Sequence, residues 1–359
     1  MAKGRLEKFE MKYGYFLPKE YKQFIYRYGG DIQFGSCRFE YPENISANIL
    51  RIPGKMDFRL IPFGDISNGD LYCFYKYGPE VNDYFIGLYL HETSNFVILS
   101  SNFESFLYRC MLDDYFASIN GVDEYSFEEN INASKECIER CLILSKDYGF
   151  DFNEIKQYKS EIDYHRLMVN RDKKAVQSLC YLGKYCLENG DFKKGVSYIN
   201  MAIKACSTYF APYYILGRHL IFSGKMDGYT YLKKSLKKSL CLTGYSYWQE
   251  DFIDIPEDAH REVALFIEDM YDYDDLLEGR LMRGIDPYDD KLRKIMAEEY
   301  FSRGKYKQAL EECANALYCS SADKEEILNL ALKVTKVSGD SYLSKIIEND
   351  IKNLNRKVL

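Results

Sequence analysis

The chain has 359 residues, of which 47% are hydrophobic and 29% charged, and its formal net charge is −7. At roughly 100 to 200 residues per domain, this length predicts two domains or one domain with a repeat array. The composition is that of a folded globular protein and excludes both a disordered and a fibrous chain. Tyrosine is abundant, with 34 residues, and its amphipathic ring is typical of helix-packing faces and protein-binding surfaces.

Neither a secretion signal nor a membrane span is recognisable in the sequence. The first residues carry charge but no apolar region follows, and no run approaches the roughly 18 apolar residues that a span needs. We therefore expect a cytoplasmic protein. The eleven cysteines are odd in number and match no zinc or redox spacing, so we expect reduced thiols packed as small buried residues.

The first third of the chain predicts an α+β domain. Residues 6–14 and 17–30 are short helical stretches, and Gly29-Gly30 ends the second one. Short runs rich in aromatic and branched residues then predict strands at Phe34–Phe39, Phe58–Phe63, Leu71–Tyr77, Phe85–Leu90 and Phe96–Leu99. No helix-length pattern separates these runs, which favours antiparallel pairing. After Ser101 the pattern becomes helical.

From about Ser126 to the C-terminus the sequence predicts helices alone. Two pairs of glycines lie 34 residues apart, Gly183 with Gly217 and Gly190 with Gly224. This is the period of the tetratricopeptide repeat, in which the first position lets two helices approach and the second reverses the chain. A third unit contains Ala297 and Gly304. It follows after 80 residues, so we expect a degenerate unit with an insertion between Gly224 and Gly304.

Three segments of the N-terminal third, LPKEYKQFIYRYGG, LIPFGDISNGDLYCFY and YLHETSNFVILSSNFESFL, in this order and spacing closely resemble the SUKH superfamily. This superfamily comprises fungal glucan-synthesis regulators and bacterial immunity proteins, and the resemblance covers roughly residues 5–115. The sequence departs from the family at Tyr89, where Trp is frequent. The resemblance implies a twisted antiparallel sheet with flanking helices and no catalysis. Bacterial members neutralise a cognate polymorphic toxin, whereas fungal members are signalling adaptors for cell-wall synthesis.

Sequence motifs for catalysis, cofactors or metals are missing. The four histidines are far apart and lack metal-ligand spacing. There is no G-x-S-x-G elbow, phosphate loop or dinucleotide-binding turn. We therefore predict a non-enzymatic protein with no catalytic, cofactor-binding or metal residues. Asp65 and Asp70 flank a turn, and a turn-forming role is favoured over a paired-carboxylate site, because Asp side chains bond nearby backbone amides.

Charge is concentrated in one segment. From Trp248 to Asp290 there are 15 acidic residues against three arginines, a pattern that repels nucleic acid phosphates. A solvated surface is the simpler interpretation, and a nucleic-acid mimic or a dock for a basic partner is the alternative. Just before it, an amphipathic helix carries four lysines that we expect to be solvated or paired with this segment. They are Lys233, Lys234, Lys237 and Lys238.

The sequence thus predicts a SUKH-like α+β domain over residues 1–120 and an all-α tetratricopeptide-like helical repeat domain over residues 121–359. The tyrosine-, lysine- and asparagine-rich composition resembles that of an AT-rich bacterial genome and favours a bacterial immunity protein. We expect a protein partner, a toxin domain such as a basic nuclease, with no direct nucleic acid or membrane contact. The alternative is a regulatory adaptor or scaffold that recruits partners through its helical repeats.

Three surfaces are predicted to bind the partner. The first is the exposed face of the sheet with its adjoining loops, represented by Asp31, Asp65, Asp70, Tyr72, Tyr89 and His91. The second is a concave groove along the first helix of each pair, represented by Tyr181, Lys184, Tyr185, Tyr214 and Arg218. The third is the acidic segment, represented by Asp272, Asp274 and Asp275, which we expect to attract a basic partner.

Overall fold

The computed structural model describes residues 2–13, 16–41, 56–78, 83–120, 127–157, 160–247, 253–268, 286–319 and 321–354. The strands are β1 (Ile32–Phe34), β2 (Cys37–Phe39), β3 (Leu60–Asp65), β4 (Leu71–Lys76), β5 (Tyr84–Tyr89) and β6 (Phe96–Ser100). The first helices are α1 (Ala2–Tyr13), α2 (Lys19–Tyr28), α3 (Phe103–Asn120), α4 (Phe127–Tyr148), α5 (Phe152–Ile155) and α6 (Glu161–Arg171). The later helices are α7 (Val176–Glu188), α8 (Phe192–Ala205), α9 (Ala211–Phe222), α10 (Asp227–Ser235), α11 (Ala259–Glu268), α12 (Asp290–Ser302), α13 (Tyr306–Tyr318), α14 (Lys324–Ser338) and α15 (Ser341–Leu354).

The six strands form one antiparallel sheet in which every strand pairs with its neighbours in sequence, from β1 to β6. This confirms the predicted antiparallel pairing and the α+β class of the N-terminal part. The run expected as one strand at Phe34–Phe39 is a hairpin of two. Gly35 has a φ of 56° and its backbone N–H donates to Asp114 Oδ2 at 2.8 Å, so α3 holds the turn.

Both faces of the sheet are buried over β3 to β6, whereas Gln33 of β1 and Arg38 of β2 are exposed. On one face, Phe63 and Phe74 stack at 4.4 Å and pack with Tyr21 of α2 and Phe103 of α3. On the other face, alternate residues such as Tyr75 share a hydrophobic core with α7 and α9. The expectation of an exposed sheet face is therefore wrong for β3 to β6. The sequences of the strands indicate this burial. β4 to β6 are almost continuously apolar, which is typical of sheets covered on both sides.

Four helical hairpins with the same turn build most of the C-terminal part: α7–α8, α9–α10, α12–α13 and α14–α15. Each turn has a glycine with a φ between 71° and 82°, namely Gly190, Gly224, Gly304 and Gly339. The residue after each glycine donates its N–H to a carbonyl five residues earlier, at 2.8 to 3.0 Å, and so ends the first helix. The helix-rich class is confirmed, and the fourth hairpin, 35 residues after the third, was not predicted.

Close approach within the hairpins explains the first glycine of each predicted pair. A Cβ on Gly183 would lie 2.6 Å from Ile199 of α8, and one on Gly217 would lie 2.7 Å from Leu232 of α10. In α12 the same position is Ala297, which is fully buried. Small residues at this position therefore set the spacing between the paired helices, as the sequence predicts.

The helical part and the sheet share their cores. Two hydrophobic clusters each contain residues from the strands and from helices beyond residue 160. At the sheet edge, Phe96 donates its backbone N–H to the Cys241 carbonyl at 2.8 Å, and Thr243 Oγ1 donates to Asn95 Oδ1 at 2.8 Å. The division into residues 1–120 and 121–359 stays a prediction, since residues 121–126 lie outside the described ranges.

All eleven cysteines are described, and each is a buried thiol outside any disulfide, as the sequence predicts. Their burial raises the pKa of those thiols that are most enclosed, such as Cys180 and Cys241. Among the described helices, none combines the length and the apolar character required to cross a membrane.

Candidate protein-binding site

The turn between β3 and β4 is built by polar side chains. Asp65 Oδ1 accepts the backbone N–H of Ser67 at 2.9 Å, and Asp65 Oδ2 accepts a hydrogen bond from Arg38 at 3.3 Å. Asn68 Oδ1 in turn accepts the backbone N–H of Asp70 at 2.9 Å. The bond from Ser67 confirms the turn-forming role that the sequence predicts for Asp65.

Asp70 orients His91, which lies in the turn between β5 and β6. The Asp70 side chain is fully buried, and its Oδ1 accepts the backbone N–H of His91 at 2.9 Å and the ring Nδ1 at 2.8 Å. A carboxylate only accepts, so Nδ1 carries the proton and Nε2 presents a lone pair in the neutral ring. The His91 side chain is 41% exposed, so it offers an oriented hydrogen-bonding group to solvent.

Tyr247 completes this arrangement from the helical part of the chain. Its hydroxyl lies 2.5 Å and 2.6 Å from the two Asp70 carboxylate oxygens. Burial raises the pKa of Tyr247, and the hydrogen bond to Asp70 raises it further. The Tyr247 hydroxyl therefore stays protonated and donates to the carboxylate. Two predicted residues, Asp70 and His91, are thus brought together, and a third that the sequence did not indicate joins them.

An acidic and aromatic surface surrounds His91. The carboxylates of Glu92 and Glu257 lie close enough to Tyr245 to raise its pKa, after the larger effect of burial. Both glutamates are exposed, and both tyrosines of the loop, Tyr245 and Tyr247, are half-buried. We call His91, Glu92, Tyr245, Tyr247 and Glu257 the junction surface. It combines hydrogen-bond acceptors with negative charge, which suits the cationic side chains of a protein partner.

The N-terminal residues of this site lie in a segment that has known relatives. Residues 2–109 match the SMI1/KNR4 family (SUKH-1). The SUKH resemblance is therefore confirmed for the N-terminal third. No curated protein matches the chain. Asp70, His91 and Glu92 belong to the SUKH-1 segment, whereas Tyr245, Tyr247 and Glu257 lie outside it, so the junction surface joins the two parts.

The predicted residues of the SUKH-1 sheet do not share one exposed face. Tyr72 and Tyr89 are buried in opposite cores, with the Tyr72 hydroxyl 2.5 Å from Ser36 Oγ and the Tyr89 hydroxyl donating to Ser94 at 3.2 Å. Asp65 and Asp70 are buried, so Asp31 and His91 are the exposed members of the predicted set. A direct partner contact by any of these residues stays a prediction.

The expected groove along α7 and α9 is filled by the chain itself. Lys184 pairs with Asp254, and the Tyr214 hydroxyl donates to Glu262 of α11 at 3.1 Å. Arg218 donates to the Tyr214 hydroxyl at 2.7 Å. Residues 253–267 supply a buried apolar stripe that packs in the same core as these helices: Ile253, Ile255, Ala259, Val263 and Ile267.

The prediction of an open concave groove is therefore wrong for the residues that define it. Tyr214 is buried, and Tyr181 stacks on His165 of α6 at 3.9 Å. Tyr181, Lys184, Tyr185 and Arg218 are half-buried. Apolar residues recur every four positions from Ile255 to Ile267, a pattern that indicates a helix packed against the protein. The many carboxylates of the same segment favour a solvated surface instead, and for this reason the packing was not predicted.

The acidic segment is only partly described. Asp272, Asp274 and Asp275 lie outside the described residues. Of its described members, Asp286 pairs with Arg261 at 2.9 Å and Asp289 accepts from the first backbone amides of α12. Lys233 and Lys234 lie in α10, whereas Lys237 and Lys238 follow its end at Ser235, so the predicted helix is shorter than expected. These four lysines form no ion pair with the described carboxylates of the acidic segment. Lys238 instead lies 4.2 Å from the Tyr213 ring centroid.

Sequence reasoning missed Glu92, Tyr245 and Tyr247, and it included Glu257 only as a member of the acidic segment. Gly244 and the alternating tyrosines of GYSY indicate a loop with exposed aromatic rings. Nothing local shows that this loop reaches Asp70, which lies 177 residues earlier. Such a contact follows only from the packing of the helical part over the sheet.

Proposed function

We propose that this protein is a cytoplasmic bacterial immunity protein that binds a cognate toxin and blocks it without catalysis. The observation that carries the proposal is the match of residues 2–109 to the SMI1/KNR4 family (SUKH-1). Members of the superfamily with this role act by tight binding, so the inhibitor needs a surface rather than a reactive group.

The charge of the junction surface supports a basic partner. Nucleases carry basic clefts to bind nucleic acid phosphates. A surface that presents Glu92, Glu257 and the oriented Nε2 of His91 is complementary to such a cleft and repels the nucleic acid itself. Binding there would cover the cleft and exclude the substrate.

Because the sheet and the helical part share their hydrophobic cores, we favour a protein that binds one partner as a single unit over one that recruits a different partner through each part. An adaptor that recruits one partner through each part would gain from independent movement of the parts, whereas here the helical part covers the second sheet face. The alternative function is that of an adaptor, and the following experiment distinguishes it from immunity.

The test is growth protection by the full chain. We expect the neighbouring gene in the host to encode a large secreted toxin. Expression of the C-terminal domain of that toxin should stop growth, and co-expression of the full chain should restore it. Purified chain and toxin domain should also form a complex in gel filtration. Failure of both protection and complex formation, with regulatory proteins recovered from the host instead, would favour the adaptor.

A further inference from the structure

His91 is the histidine of this chain whose ring is exposed at the surface. All four histidines lie in the described ranges: His165 and His260 are buried, His219 is half-buried, and the His91 side chain is 41% exposed. Imidazole is the side chain that ordinarily gains or loses a proton between about pH 5 and 8. A change of charge in this pH range therefore reaches the junction surface through His91.

Two neighbours hold the His91 ring in one orientation. Asp70 Oδ1 accepts the backbone N–H of His91 at 2.9 Å and the ring Nδ1 at 2.8 Å. A Cβ atom on Gly69 would lie 3.1 Å from three carbons of the ring, so the Gly69 backbone covers one ring face. Turning the ring over would take a donor away from a buried carboxylate, which is costly. Nε2 is therefore the ring nitrogen that a partner meets.

From this geometry we infer that His91 determines partner specificity: its neutral Nε2 accepts a hydrogen bond from a lysine or arginine side chain of the toxin, and acid weakens the complex. The inference rests on the proposed function. Because a carboxylate only accepts, the proton of the neutral ring stays on Nδ1 beside Asp70, and Nε2 accepts. A carboxylate or carbonyl oxygen of a partner would face this lone pair with another lone pair, whereas an ammonium or guanidinium N–H is complementary to it.

Protonation of the ring reverses the role of Nε2. A second ring proton converts Nε2 from an acceptor into a donor, and it places a positive charge opposite the cationic group of the partner. Both changes oppose the contact, because a donor then meets a donor and a cation meets a cation. The affinity for the toxin is therefore highest when the ring is neutral, and it falls as acid protonates the ring.

Other titratable groups lie around the ring on β5, on the two turns beside it and on the loop before α11. Burial raises the pKa of the tyrosines among them, so their hydroxyls stay protonated over this pH range. In the β3–β4 turn, the cation of Arg38 is paired with Asp65 at 3.3 Å. All of these groups remain when His91 is changed, so comparison of the wild type with a His91 variant isolates the ring. The groups are Asp70, Tyr89, Glu92, Tyr245, Tyr247 and Glu257.

The experiment measures the affinity of the full chain for the toxin domain encoded by the neighbouring gene, by isothermal titration calorimetry at several pH values. For the wild type, the dissociation constant should rise roughly three- to tenfold from about pH 8 to about pH 5.5, which corresponds to the loss of one hydrogen bond. His91→Gln has a neutral side chain at every pH and should remove this rise. His219→Gln changes the half-buried histidine of α9 and should retain it.

A second measurement needs no partner. Nitrogen-15 NMR of the histidine rings distinguishes a protonated from an unprotonated ring nitrogen, and in the free chain at about pH 8 the proton of His91 should be on Nδ1. A proton on Nε2 instead would overturn the inference and leave the proposed function intact. The same holds for a toxin affinity that rises in acid, or for a wild-type pH profile that a natively folded His91→Gln variant retains. Absence of a complex at every pH would overturn the proposed function, and the inference with it.

Discussion

The carboxylate of Asp70 accepts a hydrogen bond from the hydroxyl of Tyr247, 177 residues further along the chain. The same carboxylate holds the ring of His91 at 2.8 Å. A residue of the SUKH-1 segment thus orients an exposed histidine, and the helical part supplies a further donor to the same carboxylate. The geometry of the junction surface therefore depends on both parts of the chain.

The first prediction concerns the hydroxyl of Tyr247. Tyr247→Phe removes a donor to a buried carboxylate and should lower the free energy of unfolding by about 1.5 to 3 kcal/mol. Urea unfolding followed by circular dichroism measures the change. Tyr245→Phe is the matched control, because no hydrogen bond of the Tyr245 hydroxyl to a described residue is present, and it should change stability by less than about 0.5 kcal/mol. Equal effects in both variants would contradict the assigned role of Tyr247.

The second prediction concerns the buried ion pairs between the sheet and α13. Arg59 Nη2 lies 2.6 Å from Asp57 and its Nη1 lies 2.7 Å from Glu311 of α13. Arg59→Ala leaves two buried carboxylates without their cation and should cost about 3 to 5 kcal/mol in thermal or urea unfolding. Arg303→Ala removes the more exposed pair with Glu299 and should cost less than about 1 kcal/mol. A small effect of Arg59→Ala would show that the helical part does not depend on this contact.

The third prediction concerns His260, which is fully buried and packs against Phe210 at 4.4 Å. Burial lowers the pKa of His260 to about 3, with a further contribution from Arg293. In the unfolded chain the imidazole of His260 has a pKa of about 6.5. Above that pH the ring is neutral in both states, and the free energy of unfolding is not reduced by its protonation. Stability is lost as the pH falls from about 6.5 toward 3, with a slope of up to about 1.4 kcal/mol per pH unit.

Comparison with His260→Phe isolates this contribution. His165, whose pKa burial also lowers, adds a slope of the same sign, and Glu312, whose pKa burial raises, opposes it. Both remain in the variant. Urea unfolding between pH 4 and 8 should therefore show a weaker loss of stability at low pH for His260→Phe than for the wild type. Parallel curves would mean that His260 does not stay neutral in the folded chain.

The fourth prediction concerns the junction surface and the toxin that we propose the chain binds. Glu92→Gln/Glu257→Gln should lower the association rate by roughly two- to fivefold at low salt and weaken its salt dependence, because exposed charges steer encounter. Glu136→Gln/Glu139→Gln makes the same charge change on α4 and should leave the rate unchanged. Asp272→Asn/Asp274→Asn/Asp275→Asn tests the acidic segment in the same way. An unchanged rate together with reduced thermal stability would show that these charges serve the fold alone.

Local patterns predicted the elements of this protein well. The turn glycines Gly190 and Gly224 and the small residues Gly183 and Gly217 act through neighbours in the same hairpin, so their spacing was sufficient. The packing of the helical part over the sheet was not predictable from local patterns. The contacts of Tyr247 with Asp70 and of Glu311 with Arg59 join residues far apart in sequence. For the same reason, Asp70 and His91 of the candidate site were predicted, whereas Tyr245 and Tyr247 were missed.

Helices from the later part of the chain bury the second face of the sheet, and this order has a consequence for synthesis of the chain. β6 ends at Ser100, but the residues that bury Tyr75, Phe85 and Ile98 from the other side extend from Val176 to Ile267. At about 5 to 20 residues per second, translation needs roughly 10 to 30 s to supply them. During this interval the nascent sheet exposes an apolar face outside the ribosome. We therefore expect a chain truncated after α3, which lacks this cover, to aggregate.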